Sequence, residues 1–111
     1  VNTESMTEAV SKAILLRAAH NDAHGECIVW ILSDGSFTVG YGTEGAPTRG
    51  ALPAVRVESL NKLLGPSWDE GLNRGDGGRP LVTEDQAQRW AAAWVSENGA
   101  RHIDDAMEEG W

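Results

Sequence analysis

Apolar residues along this chain shift between helical and alternating spacing, and each shift marks an element. Val10, Ala13, Ile14 and the stretch Leu16 to Ala19 recur at broadly helical intervals behind Ser5 and Glu8, a Ser-x-x-Glu capping box. The pattern predicts a helix over residues 6–19 with an apolar face wide enough to pack on a sheet. Val1 to Ser5 precede Met6 and are either an appended remnant or the cap of this helix. Asn21, Asp22 and Gly25 then make a turn.

Residues 26–33 are rich in Ile, Val and Trp, and Asp34-Gly35 links them to residues 36–42 as a two-residue β-hairpin. That register pairs Leu32 with Phe37, Trp30 with Val39 and Ile28 with Tyr41 on one bulky face. The other face pairs Ile31 with Thr38, Val29 with Gly40 and Cys27 with Gly42, leaving a shallow trough for a helix of the same chain or an incoming segment.

Residues 43–50 read as a loop with Gly45, Pro47 and Gly50. Pro53 opens and Gly65-Pro66 closes a helix over residues 54–64, with Val57, Leu60 and Leu64 on one side. A short third strand at 54–57 competes, because Val55 and Val57 alternate about Arg56. Residues 67–80 are glycine-rich and aperiodic, a long loop of the kind that often carries function. Thr83 and Gln86 form a second capping box for a helix over 84–97, with Ala87, Ala91, Trp94 and Val95 on its apolar face and Asn98-Gly99 as its stop. A last helical segment follows at 101–108, and no internal repeat is present. The expected fold is a small α+β single domain over residues 1–111: an N-terminal helix, an antiparallel hairpin with a possible third strand, and two to three C-terminal helices, with 1–5 and 108–111 as flexible ends.

Charge adds an asymmetry. Of 17 acidic and 9 basic residues, giving a net charge of -8, residues 75–111 hold 8 acids against 3 bases. Five tryptophans argue against an acidic disordered chain. The acidity opposes direct nucleic-acid binding, which relies on Lys and Arg meeting phosphates, and favours basic partners. Cys27 is the single cysteine, which suits a reducing compartment. No long apolar run or signal-like start is present, so a cytoplasmic protein without membrane contact is expected.

Several local patterns resemble chemistry without its context. Gly40-x-Gly42-x-x-Gly45 spells a dinucleotide fingerprint, yet Pro47 and Gly50 keep the following chain from opening a helix. His20, His24 and Cys27, with His102, supply zinc-type ligands but lack paired close ligands at both ends, and Cys27 has no helix N-terminus aimed at it to make a thiolate nucleophile. Asp69-Glu70, Asp76 and Glu84-Asp85 offer carboxylates for paired acid and base work, but the adjacent ones point apart, and the last pair suits a helix N-terminus. Arg74-Gly75-Asp76 is an integrin-type tripeptide with nothing to mark secretion. No cofactor, metal or catalytic residue is expected.

The acidic C-terminal stretch remains. Asp104 and Glu108 lie four apart on a helix, as do Asp105 and Glu109, so like charges repel by roughly a few tenths of a kcal/mol per pair. With Glu97 they form an acidic docking surface for a basic protein surface, anchored by Trp111. In size and charge the chain is similar to small acidic phage and mobile-element inhibitors, including anti-CRISPR proteins and DNA mimics. That likeness is compositional and transfers no residues. The expected function is a non-enzymatic protein-binding module of this inhibitor type. The alternatives are a self-associating subunit, whose marks would be Trp68 and Trp111 in an exposed apolar patch, and a ligand-binding or enzymatic domain using loop 67–80 over the hairpin trough.

Overall fold

The computed structural model describes residues 3–19, 27–41 and 49–110. In chain order it contains helix α1 (Thr3–Ala19), strands β1 (Cys27–Ile31), β2 (Phe37–Tyr41) and β3 (Leu52–Val57), the short helix α2 (Leu60–Leu64) and helix α3 (Glu84–Glu109). The strands form one antiparallel sheet in the order β2-β1-β3. This is the expected α+β class. The loop at 43–50 and the histidines His20 and His24 fall outside the described residues, except for Arg49 and Gly50, which form a turn.

Both long helices cover one face of the sheet, α1 over β1 and β2 and α3 over β3, and they pack extensively against each other. Met6, Ala9, Val10, Ala13, Ile14 and Ala18 of α1 meet Cys27, Val29, Ile31, Val55 and Val57 in a continuous core. α1 starts at Thr3, ahead of Ser5, so Ser5 lies within its first turn rather than capping it.

The hairpin register differs from the expected one by a residue. Val29 faces Val39, Trp30 faces Thr38 and Ile28 faces Gly40. The cause is a three-residue loop rather than two: Leu32 N–H donates to Ser36 C=O at 2.8 Å and Gly35 N–H to Leu32 C=O at 2.9 Å, with Gly35 at φ 87°. A turn followed by a left-handed glycine is the standard three-residue solution. The one-residue slip exchanges the neighbours across the two strands. Val39 and Phe37 therefore join the helix-covered core, while Gly40 lies beside Trp30, whose Nε1 would be 3.6 Å from a Cβ at Gly40. Indole fills the expected trough. Ile28, Trp30 and Ala51 form a second buried cluster on that side.

Asp34 fixes this loop by accepting hydrogen bonds from the Ser36 N–H, at 2.9 Å, and the Ser36 hydroxyl. These bonds, the hydroxyl first, hold the Asp34 carboxyl below its ordinary range. Because the folded-state pKa is depressed, the contribution is present above the unfolded value of about 4 and is lost as pH falls through the folded one. Protection of the Gly35 and Ser36 amides, measured against intrinsic exchange at the same pH, should fall on acidification below about pH 4, and Ser36→Ala should weaken that dependence. An unchanged acid profile in Ser36→Ala would show that the hydroxyl contributes nothing.

Residues 54–57 belong to a strand, not a helix. Val29 pairs with Val55 but Trp30 with Pro53, so Ala54 is an extra residue in β3 and both Ala54 and Val55 are buried. The helix expected over 54–64 is reduced to Leu60–Leu64, capped by Ser59, whose hydroxyl accepts from Asn61 N–H at 3.2 Å. Apolar alternation across Arg56 outweighed the start signal of Pro53.

Cys27 is fully buried in the core, and burial pushes its thiol pKa up, with Arg17 partly offsetting this. The native thiol should be inert to a neutral-pH disulfide reagent and react at the rate of structural opening, accelerating in urea. Rapid stoichiometric labelling of native protein would contradict this placement.

Candidate functional site: the outer face of the C-terminal helix

α3 begins where its capping box predicts. The Thr83 hydroxyl accepts from Gln86 N–H at 3.2 Å, and Glu84 and Asp85 sit in the first turn, where the helix dipole favours negative charge. The acids of this pair are thereby explained by helix stability.

The helix then passes through its expected stop. Asn98 uses its side-chain N–H to donate to Trp94 C=O at 3.1 Å, one turn back. Gly99 is buried, and a Cβ there would stand 2.9 Å from Val95 Cγ1 and 3.2 Å from Met6 Sδ. Glycine at this point serves the contact between α1 and α3 and does not end the helix. The two C-terminal helices expected from the sequence are one element of 26 residues, roughly 39 Å long. Its last turns are secured by buried Ile103 and Ala106, and Glu108 and Glu109 belong to the helix rather than to a loose end. Leu52 Cδ2 would lie 3.0 Å from a Cβ on Gly110, which caps it.

With Ala87, Ala91, Val95, Gly99, Ile103 and Ala106 turned inward, Glu97, Asp104, Asp105, Glu108 and Glu109 are all exposed. The steps 97, 101, 104 and 108 follow one stripe of the helix, and 105 and 109 lie on the next. Five carboxylates therefore share the outer side of one rigid element. Arg101 is the cation among them, with its guanidinium donating to Asn98 Oδ1 at 3.4 Å. Trp111 lies outside the described residues, and Met107 is the exposed large apolar side chain in this region.

This placement runs against helix stability. The last turn holds no basic residue, and the carboxylates there face the negative end of the dipole. Asp104 and Glu108, and Asp105 and Glu109, repel at a spacing of four.

Beside this face lies a polar cleft of about 340 Å³ between β3, α2 and α3, lined by Arg56, Lys62, Arg101, His102, Trp94 and Glu97 among others. Lys62 is paired with Glu58 at 2.9 Å, which holds the Glu58 carboxyl below its usual range. His102 Nδ1 lies 3.2 Å from the carbonyl of bulged Ala54, and its ring tilts against Trp94 at 4.9 Å. A carbonyl only accepts, so in this contact Nδ1 is the donor. This grouping was not visible in the sequence, because its cations come from three elements spread over residues 56–101.

The remaining sequence candidates separate. Cys27 points into the core and His102 is engaged with Ala54 and Trp94, and no group of three metal-ligating side chains exists among the described residues. In loop 67–80, Arg74 donates to Asp69 at 3.0 Å and to Gly78 C=O at 3.3 Å, which ties up the Arg-Gly-Asp tripeptide within its own turn. Trp68 packs edge-on against Trp90 at 6.0 Å as part of the core, and Arg79 donates to Ala19 C=O at 2.8 Å. The loop is thus pinned to the ends of α1 and α3. No described helix is long and apolar enough to cross a membrane. Comparison with known protein families, curated proteins and solved structures gives no match.

Proposed function

We propose that this chain is a non-enzymatic protein-binding module that presents the outer face of α3 to a basic surface, of the kind that a nucleic-acid-handling protein uses for phosphates. The single observation that carries the reading is the row of exposed carboxylates Glu97, Asp104, Asp105, Glu108 and Glu109 along α3, ending in a last turn where charge of that sign costs stability. Charge placed at a local cost to the helix fits a binding role better than a structural one. A rigid helix fixes the spacing of the carboxylates, so a partner's cations meet a preformed array. The field would speed encounter, and the bordering cleft with Arg56, Lys62 and Arg101 would set the orientation by accepting an acidic side chain of the same partner. Occupation of such a partner's surface would compete with nucleic acid, which is the action of an inhibitor.

The test is affinity capture from a nuclease-treated lysate at about 50 and about 300 mM salt, read by mass spectrometry, with Asp104→Asn, Asp105→Asn, Glu108→Gln and Glu109→Gln combined as the comparison. A basic protein held by the wild type at low salt, released at high salt and not held by the variant supports the reading. Equal retention by the variant, or no specific partner at either salt, overturns it.

A further inference from the structure

We infer that the free edge of β2, with the groove between β2 and α1, is a self-association site at which a second copy of this chain pairs its own β2 in antiparallel fashion. The two edges of the sheet are treated differently. β3 carries the devices that block edge pairing: Pro53, exposed Arg56 and the Ala54 bulge, whose carbonyl is occupied by His102. β2, Phe-Thr-Val-Gly-Tyr, has no charge, proline or bulge. The Leu32 to Ser36 bond sets the ladder phase, so Thr38 and Gly40 bond towards β1 while Phe37 and Val39 direct N–H and C=O outward. Among the described residues no strand pairs with that side.

The helix above this edge gives the second argument. α1 buries Met6, Ala9, Val10, Ala13, Ile14 and Ala18, and its flank carries Leu15 and Leu16, which pack against the edge of the core but stay only half-buried. These leucines, with Phe37 and Val39, line an open groove of about 450 Å³ rimmed by Glu8 and Lys12. Neither rim charge is paired among the described residues, and both are exposed. A rim bearing one acid and one base four residues apart is complementary to itself about a two-fold axis, which is the requirement for an isologous dimer. An axis through Val39 pairs Phe37 with the partner's Tyr41 and makes one six-stranded sheet from two three-stranded ones. α3 lies over β3 at the far edge, so this inference stands apart from the proposed docking face, and either can fail alone.

Sedimentation equilibrium of the full chain from about 1 to about 200 µM tests it. The wild type should dimerise. Val39→Pro removes an outward N–H that the monomer does not use, so it should weaken the dimer at least tenfold with an unchanged far-ultraviolet spectrum. Lys12→Glu should weaken it by a similar factor through like charge, and the exchange Glu8→Lys with Lys12→Glu should restore it. If Val39→Pro does not fold, the charge exchange decides. A wild type that stays monomeric throughout, a dimer that survives Val39→Pro in folded protein, or an exchange that fails to restore association overturns the inference.

Discussion

Gly99→Leu is expected to destabilise the protein by about 2–3 kcal/mol, a large fraction of the roughly 5–15 kcal/mol by which a domain is stable. Even a bare Cβ at this site would meet Val95 Cγ1 at 2.9 Å and Met6 Sδ at 3.2 Å. Valine in a helix has one strongly preferred χ1, so Val95 cannot swing aside, whereas the Met6 thioether can. The clash therefore outweighs the gain of up to about 1 kcal/mol in helix propensity that Leu or Ala has over glycine. Gly99→Ala should cost less, and Val95→Ala added to it should recover part of the loss, because the added methyl then takes space that Val95 vacates. Urea unfolding of the four proteins decides. If Gly99→Ala is more stable than wild type, the close crossing of α1 and α3 is wrong in detail.

Neutralising Asp104, Asp105, Glu108 and Glu109 together is expected to move stability and binding in opposite directions. The thermal midpoint should rise by about 2–5 °C, because two repelling pairs and an unfavourable set of charges at the helix terminus disappear. Association with the partner should slow by at least about tenfold at low salt, with the difference shrinking as salt rises. The two readouts separate explanations that a single one would confuse. A higher midpoint with unaltered association would leave the acids as an unfavourable but functionless surface. A lower midpoint would mean that they make stabilising contacts, contrary to their exposure.

The parts of this fold that are local in the chain were legible. The capping box at Thr83 and Gln86, the run of Ile, Val and Trp in β1, and the apolar spacing of α1 all act within a few residues. The hairpin register was lost to a local ambiguity, since Asp34-Gly35 serves a two-residue loop or the end of a three-residue one, and the Asp34 to Ser36 bonds select the latter. Gly99 failed for another reason. Asn-Gly is a stop signal on its own, and the contact with Met6, 93 positions earlier, overrides it. The exposed carboxylates of α3 could be placed from sequence because solvent is the default for charge. The cleft of Arg56, Lys62 and Arg101 could not, since its walls meet only after β3 has bulged and packed on α3.

The pairing of α1 with α3 also governs the order in which this chain can fold. These helices lie at opposite ends of the described residues, so their contact closes a loop of most of the chain, and long loops of this kind slow the search for the native state. The hairpin and α1 can form early, but β3 keeps only minor contacts with α1 and α2 until α3 arrives. During synthesis the part of the sheet surface that α3 covers must therefore wait, partly exposed, until α3 has left the ribosome. That interval is when the nascent chain is most open to chaperones and to misassembly.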